Sequence, residues 1–196
     1  MLKQNKINEL YKEYAEKFKD FEVVLGEGNI DADIFLIGEA PGKDEVLQKK
    51  PFVGMAGKNL SFFLETINVN RQDIYITNTI KYRLSKINPK SGRVVNRPTT
   101  AKDLEQNVDY LYKEIGIIRP KYIVTLGNVP LKAVMNDKKV NIGDVHGTLR
   151  DVDIEGKNYK IFPLYHPASI IYNRSLKDVY LDDMIKFSNI IKKCEK

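Results

Sequence analysis

The sequence predicts an α/β protein, a three-layer α/β/α sandwich around a mainly parallel central sheet of about four strands, and two patterns carry that expectation. Four short segments are compact and apolar on both faces, as strands covered on two sides should be: Asp33–Ile37, Ile74–Thr77, Tyr122–Leu126 and Ile161–Tyr165. Helical periodicities lie between them, so strand and helix alternate along the chain.

The opening run MLKQNKINELYKEYAEKF reads as an amphipathic helix. It lacks the uninterrupted apolar core of a secretory signal, so export is not expected and the cytoplasm is the default compartment. After the first strand and a glycine-rich turn, Lys58–Ile67 forms a helix behind Gly57. Leu84–Thr100 follows the second strand and holds several cations together with Pro89, Gly92 and Pro98, which reads as a long loop; such loops in compact domains are functional or mobile. Lys102–Ile118 then places Leu104, Val108, Leu111, Ile115 and Ile118 at spacings of four and three in alternation, which makes one apolar stripe. Val129–Met135 begins just past Gly127, and Leu176–Ile191 repeats the stripe with Val179, Met184, Phe187 and Ile190. No repeat, low-complexity tract or linker divides the 196 residues, so one domain over 1–196 is expected.

Composition narrows the function. An apolar share of 42% and a charged share of 30% are those of a globular protein, and no stretch approaches the roughly 20 apolar residues of a membrane span. Cys194 is the single cysteine and His146 and His166 are the two histidines, so neither an internal disulfide nor a cysteine-ligated metal site is expected, and no cofactor. The net charge of +6 suits a polyanionic partner through phosphate neutralisation.

In open parallel sheets ligands bind beyond the carboxyl ends of the strands. Gly38-Glu39-Ala40-Pro41-Gly42, Asn78, Gly127-Asn128 and His166-Pro167 follow the four strands and should converge on one crevice. Taken singly each has a plain structural reading: a turn, a cap, a hydrogen-bonding histidine, and for Lys81, Tyr82 and Arg83 a solvated run. Together with Phe52 they would bring an amide, an imidazole, carboxylates and an aromatic ring to one place, a set suited to a flat polar ligand on which charge must be stabilised.

Five segments in order, GEAPGKDE, PFVGMAGKNL, IYITNTIKYR, RPKYIVTLG and YHPASII, give the chain a resemblance to the family 4 uracil-DNA glycosylases of bacteria and archaea, from about residue 33 to residue 182. The resemblance implies removal of uracil from DNA by a monomer that flips the nucleotide into a pocket. It implies that Phe52 stacks on the base, that Asn78 donates to O4 and accepts from N3–H, and that His166 donates to O2 as negative charge develops there. Gly38, Ala40, Pro41 and Gly42 would form the loop beneath the base. Ala40 stands where the best-known glycosylases have an aspartate, which leaves Glu39 and Glu45 as alternatives for assisting the attacking water. Ser169, Ile170 and Ile171 would wedge into the base stack, Arg174 would reach a phosphate, and His146, followed by Gly147, would meet the DNA backbone.

Two departures accompany the resemblance. Family 4 members typically carry a [4Fe–4S] cluster on four cysteines, whereas Tyr82 and Asn107 stand at the third and fourth ligand positions and residues 1–32 hold no cysteine. The cluster is therefore not expected, and Tyr82 with Tyr11, Tyr14 and Phe18 is expected to pack in its place. The Leu84–Thr100 loop is similar to an insertion in a related group that becomes covalently attached to DNA through a histidine; no histidine occurs here, although Lys86, Lys90, Arg93 and Arg97 are placed to grip phosphates. A non-catalytic DNA-binding member, or one specific for another base, is the alternative.

Overall fold

The computed structural model describes residues 2–193, and Cys194 lies outside them. Among the described residues the central sheet has six strands in the order β1-β3-β2-β6-β8-β7. The four in the middle, β3 (Tyr75–Asn78), β2 (Ile34–Gly38), β6 (Tyr122–Leu126) and β8 (Lys157–Leu164), run parallel. They are the four expected strands. Two antiparallel edges add to them, so the sheet is mixed. The edge β1 (Glu27–Gly28) is too short to leave a pattern, and β7 (Arg150–Ile154) exposes Arg150, Asp151 and Asp153, the charges by which an edge strand resists further pairing.

Alternation along the middle strands sorts their side chains into two cores. Phe35, Ile37, Tyr75, Ile123 and Ile161 face α4 (Ala101–Ile118), α5 (Asn128–Met135) and α6 (Ile142–Val145). Their neighbours Leu36, Ile76, Val124, Phe162 and Leu164 face α3 (Met55–Thr66) and α8 (Leu176–Lys193). A parallel strand buried on both sides must be apolar at every position, which is why IFLIG and YIVTL lack the polar alternation of a half-exposed strand. The expected stripe of α4 is present: Leu111, Ile115 and Ile118 are fully buried, and Leu104 and Val108 pack partly buried beside them.

A third core lies at one side. The helix α1 (Lys3–Lys17) lays Ile7, Leu10 and Tyr14 against Ile80, Tyr82, Leu84 and Tyr110. Phe18 and Phe21 close it, the Phe21 ring stacked on Tyr82 at 4.3 Å and Phe18 at 5.0 Å. The solvated reading of residues 81–83 is thus corrected for two of them, because Lys81 and Tyr82 are buried. Tyr82 and Asn107 are joined by a hydrogen bond of 3.3 Å inside this packing. Neither side chain is a thiolate, so these positions do not fit an iron–sulfur cluster.

Leu84–Thr100 is not a structureless loop. It contains a hairpin, β4 (Ser85–Ile87) paired with β5 (Val94–Asn96), whose strands are too short and too exposed to show periodicity. Three short helices also escaped the pattern, α2 (Lys43–Gln48), α6 and α7 (Ser169–Tyr172), each only a turn or so long. No helix among the described residues is long and apolar enough to cross a membrane.

Candidate active site

Strand order reverses between β2 and β6: the chain leaves β2 toward β3 on one side, then returns through α4 to β6 and β8 on the other. Carboxyl ends of parallel strands diverge there and leave a crevice. A pocket of about 200 Å³ occupies it, lined by Ala40, Pro41, Gly42, Glu45, Phe52, Asn78, Asn96 and His166, with Ala56 and Ala168. Ligand pockets for larger molecules run from about 300 Å³ upward, so this one suits a single planar ring.

The floor is set by close approach. Gly38 ends β2 opposite Asn78 in the ladder, and a Cβ there would run into the Asn78 side-chain oxygen and the Phe52 ring. Phe52 itself is held at φ 54, a left-handed conformation costing a bulky residue roughly 1–3 kcal/mol. Gly57 permits it, since a Cβ at that position would collide with the Phe52 carbonyl. The Phe52 ring stands 6.1 Å from the His166 imidazole, centroid to centroid.

Glu45 fastens the two loops that frame the pocket. One carboxylate oxygen accepts from the Gly42 amide at 3.1 Å, and the other from Val53 at 3.1 Å and Gly54 at 2.8 Å. Glu39 points to an adjoining pocket of about 250 Å³, lined also by Leu84, Asn96 and Arg97. There it accepts a hydrogen bond of 2.5 Å from the Thr99 hydroxyl.

Two of the polar groups facing the pocket are Asn78 and His166. The Asn78 amide, on a residue only 3% exposed, has no hydrogen-bond partner among the described residues and lines the pocket. This amide opens onto the pocket instead of onto the protein, so a ligand seated there can pair with both of its ends. The second is His166. The Ala168 amide donates to its Nδ1 at 3.1 Å, which makes Nδ1 the acceptor and leaves the proton of a neutral ring on Nε2. Burial lowers the imidazole pKa to about 4, opposed by the nearby Glu45 carboxylate, so the ring is neutral at physiological pH.

Not every expected residue reaches the pocket. Ser169, Ile170, Ile171 and Arg174 follow His166 in the chain without lining this pocket; Ile170, Ile171 and Arg174 line another groove of about 520 Å³ with Asn59, Phe62, Phe63 and Lys177. Ile171 and Phe62 are exposed there, and the Lys177 ammonium sits 5.9 Å from the Phe62 ring centre. Arg93 is exposed near the turn of the hairpin, and no carboxylate among the described residues pairs with it or with Arg174. Arg97 differs, because its guanidinium forks onto Asp103 at 2.7 and 2.9 Å. His146 is also engaged: its Nδ1 bonds Asp183, a side chain buried on α8, and its ring packs 4.7 Å from Tyr165. Asn96 was missed, because a residue on a return strand reaches this pocket only through the hairpin's placement. Its side-chain oxygen accepts from Arg83 at 3.0 Å, which leaves its NH₂ as the outward donor. Among the described residues no three His, Cys, Asp or Glu side chains gather as a metal site would require.

Residues 25–187 match the uracil DNA glycosylase superfamily, and the chain belongs to it. Within that class it is similar to the type-4 uracil-DNA glycosylase of Archaeoglobus fulgidus, at 38% identity over 170 residues, 85% of this chain and 81% of that protein. The type-4 uracil-DNA glycosylase of Thermotoga maritima is likewise 38% identical, over 87% of this chain and 84% of its own. A DNA polymerase of Bacillus phage SP01 is 31% identical over 81% of this chain, a stretch that makes up 16% of the polymerase.

Proposed function

We propose that this protein hydrolyses the N-glycosidic bond of deoxyuridine in DNA, releasing uracil and leaving an abasic site. The observation that carries the reading is the pairing of an unpartnered Asn78 amide with a His166 ring whose free nitrogen is Nε2–H, both on one pocket of single-ring size. Uracil offers an acceptor at O4 and a donor at N3, which one carboxamide satisfies with its two ends; cytosine presents the opposite pattern. Phe52 covers one face of the ring. As the bond from C1′ to N1 breaks, its electron pair moves into the uracil ring, and His166 Nε2–H is aimed at the O2 where that charge collects. The sugar becomes cationic in the same step. The Glu45 carboxylate supplies a fixed negative charge beside it, and a water completes the reaction at C1′ while its proton passes to Glu45 or Glu39.

DNA is held outside the pocket. Ile170 and Ile171 are the apolar wedge, Phe62 offers an aromatic face for a neighbouring base, and Arg93, Arg174 and Lys177 meet phosphates. Arg97 and His146 are left out of this surface because Asp103 and Asp183 already engage them. The reading takes the protein to act as a monomer.

The test is incubation of the purified protein with oligonucleotides carrying uracil, hypoxanthine or mismatched thymine, followed by alkali to cut abasic sites. Cleavage confined to uracil, slowed roughly a hundredfold or more by His166→Ala, is the expected result. Binding without cleavage would mean a non-catalytic member, and cleavage at another base would mean altered specificity.

A further inference from the structure

Behind the pocket lies a charged pair that the reaction does not use. Lys81 and Glu114 are 1% and 0% exposed and meet at 2.7 Å. The Lys81 ammonium also donates to the backbone carbonyl of Asn78 at 3.0 Å. The Glu114 oxygen that meets Lys81 also accepts from the Thr77 hydroxyl at 3.3 Å, and its other oxygen accepts from the Tyr11 hydroxyl. The backbone of Lys81 is fixed as well, its amide donating at 2.9 Å to the Tyr14 hydroxyl, which donates in turn to Asn107.

Such a pair is a poor way to gain stability. Desolvating two ions offsets most of their attraction, and apolar residues of similar volume usually serve a core as well or better. What an ion pair adds over an apolar pair is directional geometry. Here the direction leads to Asn78, whose carbonyl is held from below by Lys81. The next two amides are hooked to the adjacent loop, Thr79 to Gly38 at 2.8 Å and Ile80 to Glu39 at 3.0 Å.

We infer that the Lys81–Glu114 pair, clamped by Tyr11 and Tyr14 of α1, is the positioning device that sets the Asn78 amide in the base pocket. The inference rests on the uracil reading of that pocket. It makes α1 and α4 part of base recognition although neither helix lines the pocket. It also assigns a task to the aromatic packing around Tyr82, which keeps the two tyrosines in register with Lys81.

A double-mutant cycle tests it. Lys81→Met combined with Glu114→Leu removes both charges together, so neither is stranded in the core. Melting curves should show a folded protein, while single-turnover uracil release from single-stranded DNA falls roughly tenfold or more, the scale on which small misplacements act. Introduced into an Asn78→Ala protein, the same pair of substitutions should change the residual rate by less than about twofold, because the group it positions is gone. Tyr14→Phe, which keeps the ring and removes the hydroxyl, is carried through the same cycle and decides the matter should the double variant not fold. Equal loss in both backgrounds, or an undiminished rate in the Asn78 background of the native chain, overturns the inference. A native protein that releases no uracil would instead overturn the proposed function.

Discussion

Burial, the main influence on His166, drives its pKa down to about 4, below the roughly 6.5 of a free imidazole, while Glu45 pulls it back only in part. The uncharged donor that the proposed chemistry uses is therefore present across the neutral range. Single-turnover uracil release should stay level from about pH 8 to about pH 5 and decline only as pH nears 4. A half-loss near pH 6.5 would show a solvent-like histidine and remove the argument for a desolvated donor. The same shift has a consequence for folding. The unfolded chain takes up its proton near pH 6.5 and the folded chain only near 4, so the stability associated with the neutral ring is complete above pH 6.5 and is lost as pH falls toward 4. Sequence alone could place Asn78 and His166, because each follows an apolar strand. It could not separate Glu39 from Glu45, since both are acidic residues near one turn; the difference is that three backbone amides converge on Glu45 while Thr99 holds Glu39 next door.

Among the elements, α4 begins in a capping box in which Thr100 and Asp103 exchange bonds, and Asp103 also receives the Arg97 fork. Arg97 first, then the Thr100 hydroxyl and amide, hold the Asp103 carboxyl well below the usual range. Its stabilising contribution is present above the unfolded pKa near 3.9 and lost only on deeper acidification. Asp103→Ala should lower stability by about 1–3 kcal/mol in urea titrations, combining a lost cap with a lost charged hydrogen bond. It should also speed proteolysis within residues 85–96, because the fork ties the end of the hairpin to α4. Unchanged stability would mean that the box contributes nothing measurable. Long elements were legible in the sequence because their apolar period repeats several times, as in α4 and α8. The hairpin β4–β5 was not, since three-residue strands with exposed side chains hold no repeat, and the pairing that defines them is set by the Asn88 turn and the Leu84–Arg97 backbone bond.

At the scale of the molecule, the net charge of +6 says that polyanions are attracted without saying where. The structure divides the cations of the candidate DNA face into two kinds. Arg97 is neutralised by Asp103, whereas Arg93, Arg174, Lys177, Lys86 and Lys90 have no carboxylate partner among the described residues. Only the second kind releases counterions when it meets a phosphate. Five such contacts on single-stranded DNA would give log K against log salt a slope of about −3.5, at roughly −0.7 for each phosphate. Arg93→Ala and Arg174→Ala should each flatten that slope by about 0.7, a difference readable from anisotropy titrations of a labelled strand between low and physiological salt. Arg97→Ala should leave the slope unchanged at the same time, although it frees Asp103 and so weakens binding by a salt-independent factor if the hairpin loosens. If Arg97→Ala flattened the slope as much as Arg93→Ala, the Asp103 fork would have to open on DNA, and the hairpin would be a moving arm instead of a fixed wall of the site.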